Sequence, residues 1–269
     1  MKLAFSTLGV PGQPLADVLS LATTHGYHGV ELRAHPEEPV HPGLDAAARA
    51  DVAGQFKAAG VEILAVAGYA RVAAPGDDTA VLDDVRALID LAHDLGAPYV
   101  RVFPGGGDDL DEDGRKEADA TAARRLGVAA EYAADRDVLV LLETHDSHRT
   151  GAAASRVVGP VGHRNVGVLW DVMHTWLGGE QPAVSYAALS PYLGYVQVKD
   201  IAGPDDTTPL ALGAGALPLG ECVEVLSREG WDGWLCWEYE ARWYESAEPL
   251  PGILGAGREY LARLLNESA

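Results

Sequence analysis

The chain has 269 residues, 48% of them hydrophobic, which supports one large buried core and is too apolar for a disordered chain. Forty acidic residues against 20 basic ones leave a net charge of −20, and no basic cluster exceeds Arg124-Arg125, so nucleic acid and anionic membrane surfaces are excluded as partners. There is no apolar run of 18 residues and no cationic start leading into an apolar segment, so the chain reads as cytoplasmic, and Cys222 and Cys236, with no CxxC pair, read as buried reduced thiols.

The predicted elements alternate from the start. Leu3-Ala-Phe-Ser6 reads as a strand, and Leu15, Val18, Leu19 and Ala22 follow at helical spacing. Gly26 ends that helix, and Gly29-Val-Glu31-Leu begins a second strand. Val52, Phe56 and Ala59 form the next helical stripe, Gly60 closes it, and the third strand spans Val61–Val66. Val81, Val85, Leu88, Ile89 and Ala92 make a helix that stops at Gly96, before a fourth strand over Pro98–Phe103. An alanine-rich helix from about Arg115 to Ala134 leads to the fifth strand, Val138–Glu143. The sixth strand is Val166–Asp171 and the seventh Leu193–Asp200. A helix carrying Leu219, Cys222, Val223 and Leu226 is closed by Gly230, the eighth strand is Gly233–Glu238, and a last helix carries Leu254, Tyr260, Leu261 and Leu264. Glycine after four of the helices suits a short helix-to-strand connection, because it takes the left-handed conformation without a Cβ clash.

Eight strands alternating with helices predict an α/β fold, a (β/α)8 TIM barrel in a single domain over 1–269. The competing open, doubly wound sheet carries a glycine-rich phosphate loop after its first strand, and Ser6–Gly12 matches that poorly. Gly105-Gly-Gly107 opens no clear helix and lacks the Lys-Ser/Thr of a P-loop; it reads as a flexible loop beside the site, with a phosphate cradle as the alternative.

Barrel enzymes carry their chemistry at the C-terminal strand ends. The last four strands bring Glu143, Asp171, Gln197 and Glu238 there. Strand parity puts Glu143 on one face with Leu139 and Leu141, Asp171 with Gly167 and Leu169, Gln197 with Tyr195, and Glu238 with Trp234 and Cys236. If those faces are inward, the four polar groups share the barrel mouth. Three converging carboxylates repel one another unless a cation joins them, and this oxygen-rich set favours Mn2+ or Mg2+ over zinc. Taken singly, each residue is equally well a capping, ion-paired or buried polar group.

The segments Leu142-Glu143-Thr-His-Asp, Trp170-Asp171-Val-Met-His174, Val196-Gln197-Val-Lys199-Asp200 and Trp237-Glu238-Tyr-Glu resemble the sugar phosphate isomerase/epimerase family, the xylose isomerase-like TIM barrels of the AP endonuclease 2 superfamily. The resemblance covers nearly the whole chain. It implies that Glu143, Asp171, Gln197 and Glu238 hold the metal, that Glu143 and Glu238 are the catalytic acid and base on opposite sides of a substrate carbon, and that His174 contacts substrate oxygens. The strand-seven ligand of the family is often histidine; here it is Gln197.

The expected function is therefore a metal-dependent sugar isomerase or epimerase that transfers a proton next to the carbonyl of a small ketose, polyol or related carbohydrate. An inosose dehydratase-like lyase and a non-catalytic sugar-binding subunit are the alternatives. The superfamily's endonuclease branch needs further strand-end histidines that this chain lacks. His145 keeps the parity of Glu143 and reaches either the substrate or a surface turn. Lys199 either neutralises an enediolate or pairs with a carboxylate. Arg101 and Glu31 are substrate contacts or partners in ion pairs across the mouth, as is Arg33. Trp176, Trp237 and Trp243 are candidates for the wall of a sugar pocket, with Trp237, of opposite parity to Glu238, better placed against a helix. Homodimers or homotetramers are the assemblies the relatives lead one to expect.

Overall fold

Eight parallel strands close into a barrel in the computed structural model, which describes residues 1–107 and 110–268. They are β1 (Lys2–Ser6), β2 (Gly29–Arg33), β3 (Glu62–Arg71), β4 (Tyr99–Phe103), β5 (Leu139–Glu143), β6 (Val166–Asp171), β7 (Leu193–Val198) and, after the two strands of a small hairpin, β10 (Trp234–Trp237). Neighbours in sequence are neighbours in the barrel, and β1 closes it on β10 with Leu3 beside Leu235 and Phe5 beside Trp237.

The alternation read from the sequence sorts the side chains into two cores. Leu139, Leu141, Leu169, Tyr195, Trp234 and Cys236 meet inside the barrel with Ala4, Leu64, Ala65 and Tyr99. The residues between them, such as Val140, Leu142, Val168, Trp170, Val196 and Trp237, face the surrounding helices. Trp237 packs on α9 (Leu250–Glu267), where Gly257 leaves room for its ring. Helices α1 (Leu15–His25), α2 (Ala46–Ala59) and α3 (Asp78–Leu95) each end on a left-handed glycine, Gly26, Gly60 and Gly96. Cys222, in α8 (Leu219–Arg228), and Cys236 are buried and free.

Three features depart from the sequence reading. Strand β3 does not stop at Val66; it runs on to Arg71, whose partner in β4 is Phe103. Strands β7 and β10 end before Lys199 and Glu238, which therefore stand on the loops that leave the barrel. A hairpin of β8 (Ile201–Gly203) and β9 (Asp206–Pro209) follows β7, tied down by the Asp200 carboxylate, which accepts from the amides of Ile201, Gly213, Gly215 and Leu217. Helices α4 (Glu112–Ala134), α5 (Gly151–Val161), α6 (Val172–Leu177) and α7 (Pro182–Leu189) complete the outer layer. No helix among the described residues is long and apolar enough to cross a membrane.

Candidate active site

Each carboxylate at the barrel mouth is placed by the element beneath it. Glu143 ends β5 one layer above Leu141 and is buried. Thr144 follows it and fastens β5 to β6, its hydroxyl accepting from the Asp171 amide at 2.9 Å. Asp171 ends β6 and also caps α6, its Oδ1 accepting from the amides of Met173 at 2.8 Å and His174 at 3.2 Å. One Asp171 oxygen is thus spent on starting a helix, and that helix carries His174 into the site. The second oxygen, Oδ2, lies 2.8 Å from Lys199 Nζ. Glu143, Asp171 and Glu238 each bring a carboxylate oxygen within 4.8 Å of the others, and Glu143, His145 and His174 form a second such group.

Gln197 completes the set. Its Nε2 donates to Glu31 at 2.9 Å and to Glu238 at 3.0 Å. Its Oε1 is buried and has no hydrogen-bond partner among the described residues. A buried amide oxygen with nothing to accept from costs about 1–3 kcal/mol. Next to three convergent carboxylates, it is the donor atom a hard divalent cation would take, so the residues fit the metal that the family resemblance implies.

Two buried cations offset the acidic cluster. Arg101 Nη1 donates to Glu143 at 2.7 Å. Lys199 contacts Glu238 and lies 2.5 Å from Glu240, besides its approach to Asp171. Burial works against both cations, yet the surrounding carboxylates hold each above its ordinary pKa. Burial pushes Glu143 up to about 7, with Arg101 and His145 opposing the rise and Glu238 and Asp171 adding to it. Burial and the Glu238 charge likewise raise Glu31, which accepts from the Tyr195 hydroxyl. His174 falls well below its usual value because it is buried and faces His145 and Lys199. It serves as a neutral imidazole, 4.1 Å ring to ring from His145.

A cavity of about 490 Å³ opens over this cluster. Of the residues expected from sequence, Glu143, Glu238, Arg101 and His145 line it. Asp171, Gln197, Lys199 and Glu31 are buried and, like half-buried His174 behind His145, are not among its lining residues; Glu31 lies against Tyr195 and Gln197. Arg33 and Trp243 line the cavity as well, with Arg33 paired to Glu38 at 2.5 Å, while Trp176 packs on the outer core.

The sequence reading missed Tyr69, Arg71, Asp146 and Glu240, all on the cavity wall. Glu240 was within reach, since it shares the parity of Glu238. Asp146 was not: besides its sequence neighbours, His145 Nδ1 at 3.2 Å and the Ser147 hydroxyl, its carboxylate accepts from the Gly105 amide of the loop after β4, a contact distant in sequence. Behind it, Ser147 Oγ lies 2.9 Å from His148 Nδ1, and His148 Nε2 lies 2.8 Å from Asp119. This serine–histidine–aspartate array is not a nucleophile: Ser147 Oγ accepts from Gly106 N, donates to Asp146, and is not among the lining residues.

The sequence profile described as xylose isomerase-like TIM barrel matches residues 19–264. A 3-dehydroshikimate dehydratase of Bacillus anthracis is 25% identical over 212 residues, spanning 76% of this chain and 74% of that protein. A Streptomyces coelicolor protein provisionally described as a hydroxypyruvate isomerase is 30% identical over 253 residues, spanning 84% and 86%. Among solved structures, the IolI protein with a bound zinc atom superposes with a TM-score of 0.85 at 18% identity, covering 100% of this chain and 99% of that one.

Proposed function

The chain belongs to the xylose isomerase-like TIM barrel family, and from that premise we propose that it is a divalent-metal-dependent isomerase or epimerase of small hydroxy-carbonyl compounds. The observation that carries the reading is the meeting of Glu143, Asp171 and Glu238 within 4.8 Å beside the unpartnered Gln197 carbonyl. Those four residues would hold the cation, with Mn2+ or Mg2+ suiting an all-oxygen set. A cation there would supply positive charge to offset the negative charge that develops as a proton leaves the carbon next to a carbonyl.

The rest is done by side chains. Glu143, buried at the end of β5, lining the cavity and oriented by Arg101, is placed to take a carbon-bound proton. Glu238, entering the step with a proton of its own, delivers that proton from the other side, so that Glu143 ends protonated and Glu238 ionised, while Lys199 and Arg101 hold the two carboxylates in place. Neutral His174, and His145, held through Nδ1 by Asp146, lie beside Glu143 to meet the substrate's oxygens.

A dehydratase is the second reading. It is favoured by the relation to the 3-dehydroshikimate dehydratase and by the imidazoles next to Glu143, one of which would protonate a departing hydroxyl. The test is solvent-deuterium incorporation by the manganese-loaded protein across a panel of ketoses and hydroxy-carbonyl acids, with product mass recorded. Isomerisation or epimerisation exchanges a hydrogen at constant skeleton mass, and dehydration loses one water. Glu143→Gln is expected to abolish both exchange and product while the protein stays folded. Full turnover by that variant sinks the proposal.

A further inference from the structure

Strand β3 has 10 residues where its neighbours β2 and β4 have five each. Its extra length carries Tyr69 and Arg71 up to the cavity wall, beyond the register in which Ala67 pairs with Arg101. The three arginines on that wall are not equivalent. Arg33 is paired to Glu38 and Arg101 to Glu143, and both lie over the Tyr69 ring. The Arg71 guanidinium has no ion-pair, hydrogen-bond or aromatic partner among the described residues, in a chain with twice as many acids as bases.

The Arg71 side chain is nevertheless seated. Gly105, at φ +68°, lies against its stem; a Cβ there would fall 2.6 Å from Arg71 Cβ and 2.8 Å from Cγ and Cδ. Any side chain would have to push the arginine aside, and the positive φ independently favours glycine. The Gly105 amide is in turn held by Asp146 and the Gly106 amide by Ser147 Oγ at 2.9 Å. The glycine run therefore forms a shelf for the Arg71 stem. With two amides committed, it has little left with which to cradle a phosphate, which draws on several backbone donors at once. One free guanidinium offers a planar fork, the match for the two oxygens of a carboxylate.

We propose that Arg71 receives a carboxylate of the substrate at the rim of the cavity, so that the enzyme acts on hydroxy-carbonyl acids in preference to neutral ketoses. The proposal rests on the hydroxy-carbonyl chemistry assigned above and narrows its substrate class. The carbonyl end of the acid reaches the Glu143 and Glu238 side of the cavity, and the carboxylate stays at the solvent edge, where Arg71 is exposed.

The test compares three probes that share a carbon frame: hydroxypyruvate, neutral dihydroxyacetone and dihydroxyacetone phosphate. Calorimetric Kd and, where turnover occurs, KM are measured on the manganese-loaded full chain, wild type and Arg71→Gln. The variant is expected to bind hydroxypyruvate about tenfold more weakly, as for loss of one charge-assisted pair, and dihydroxyacetone within about twofold of wild type. Raising the salt concentration should weaken acid binding to the wild type more than to the variant. Gly105→Ala, which displaces the Arg71 stem, should move hydroxypyruvate affinity in the same direction.

Equal losses for the acid and the neutral ketose overturn the proposal, as does an unchanged acid affinity or no acid binding by the wild type. A dependence on Arg71 confined to dihydroxyacetone phosphate overturns it in favour of a phosphate site. The two readings fail separately. Acid binding through Arg71 without any deuterium exchange removes the proton-transfer function and leaves the acid site. Exchange of dihydroxyacetone with acid affinity indifferent to Arg71 does the reverse.

Discussion

Asp146 is held in a conformation that costs energy. Its φ is +33°, in the left-handed region that residues other than glycine rarely visit. Hydrogen bonds from the Gly105 amide and from the hydroxyl and amide of Ser147 keep it there. Burial would raise its carboxyl, but the bonds from His145 and Ser147 hold it well below the usual carboxylate range. A permanently ionised Asp146 makes Nδ1 of His145 the protonated nitrogen and leaves Nε2 for the substrate. Asp146→Asn separates this role from the backbone, because asparagine tolerates the left-handed conformation as readily as aspartate. The variant is expected to keep its melting temperature within a few degrees and to lose about ten- to a hundredfold in kcat, with a smaller change in KM. Steady-state kinetics beside a thermal melt check this; an unchanged kcat would show that the orientation of His145 does not matter to the chemistry.

At the scale of elements, what could be read from sequence was whatever depends on alternation. The convergence of Glu143, Asp171, Gln197 and Glu238 is legible because strands project side chains with a period of two, and Leu141, Leu169, Tyr195 and Cys236 mark the inner face two residues before each. The tail of β3, Ala67-Gly-Tyr-Ala-Arg71, has no such alternation, and the hairpin strands have only three and four residues, so nothing local announces them. Gly167 is legible as part of β6 but not for its purpose. A Cβ there would lie 2.5 Å from the Tyr192 carbonyl and 2.9 Å from Leu141, and one at Gly194 would lie 2.5 Å from the same leucine. Glycines on β6 and β7 thus make the space that Leu141 fills inside the barrel. Gly167→Ala sets a methyl group against a rigid carbonyl and should destabilise the fold by about 1–3 kcal/mol, read from the midpoint of urea unfolding at unchanged slope. A midpoint equal to wild type would mean that β6 and β7 can separate without cost.

For the molecule as a whole, a metal-free site of this kind makes stability fall as pH rises. Glu143 titrates near 7 in the folded protein against 4.5 when unfolded, and burial raises Glu31 and Glu240 as well. A carboxyl raised on folding stabilises the protein fully below its unfolded value, and that contribution disappears as pH climbs through the folded one. For Glu143 the window runs from about pH 4.5 to about 7, and the loss is of the order of 3 kcal/mol. Mutual repulsion in a chain of net charge −20 acts in the same direction. Asp146, lowered by its hydrogen bonds, opposes it only up to about its unfolded value of 3.8 and changes little across the window; His174, lowered by burial, opposes it up to about 6.5, and His145, which is raised, acts with the carboxylates. A divalent cation requires the ionised carboxylates, so its binding reverses the trend and tightens as protons leave. The melting temperature of the chelator-treated protein should therefore decline between pH 5 and 8, that of the manganese-loaded protein should hold or rise, and the gap between them should be widest at pH 8. A gap that is constant across this range, or that narrows with rising pH, would show that the convergent carboxylates do not hold the ion.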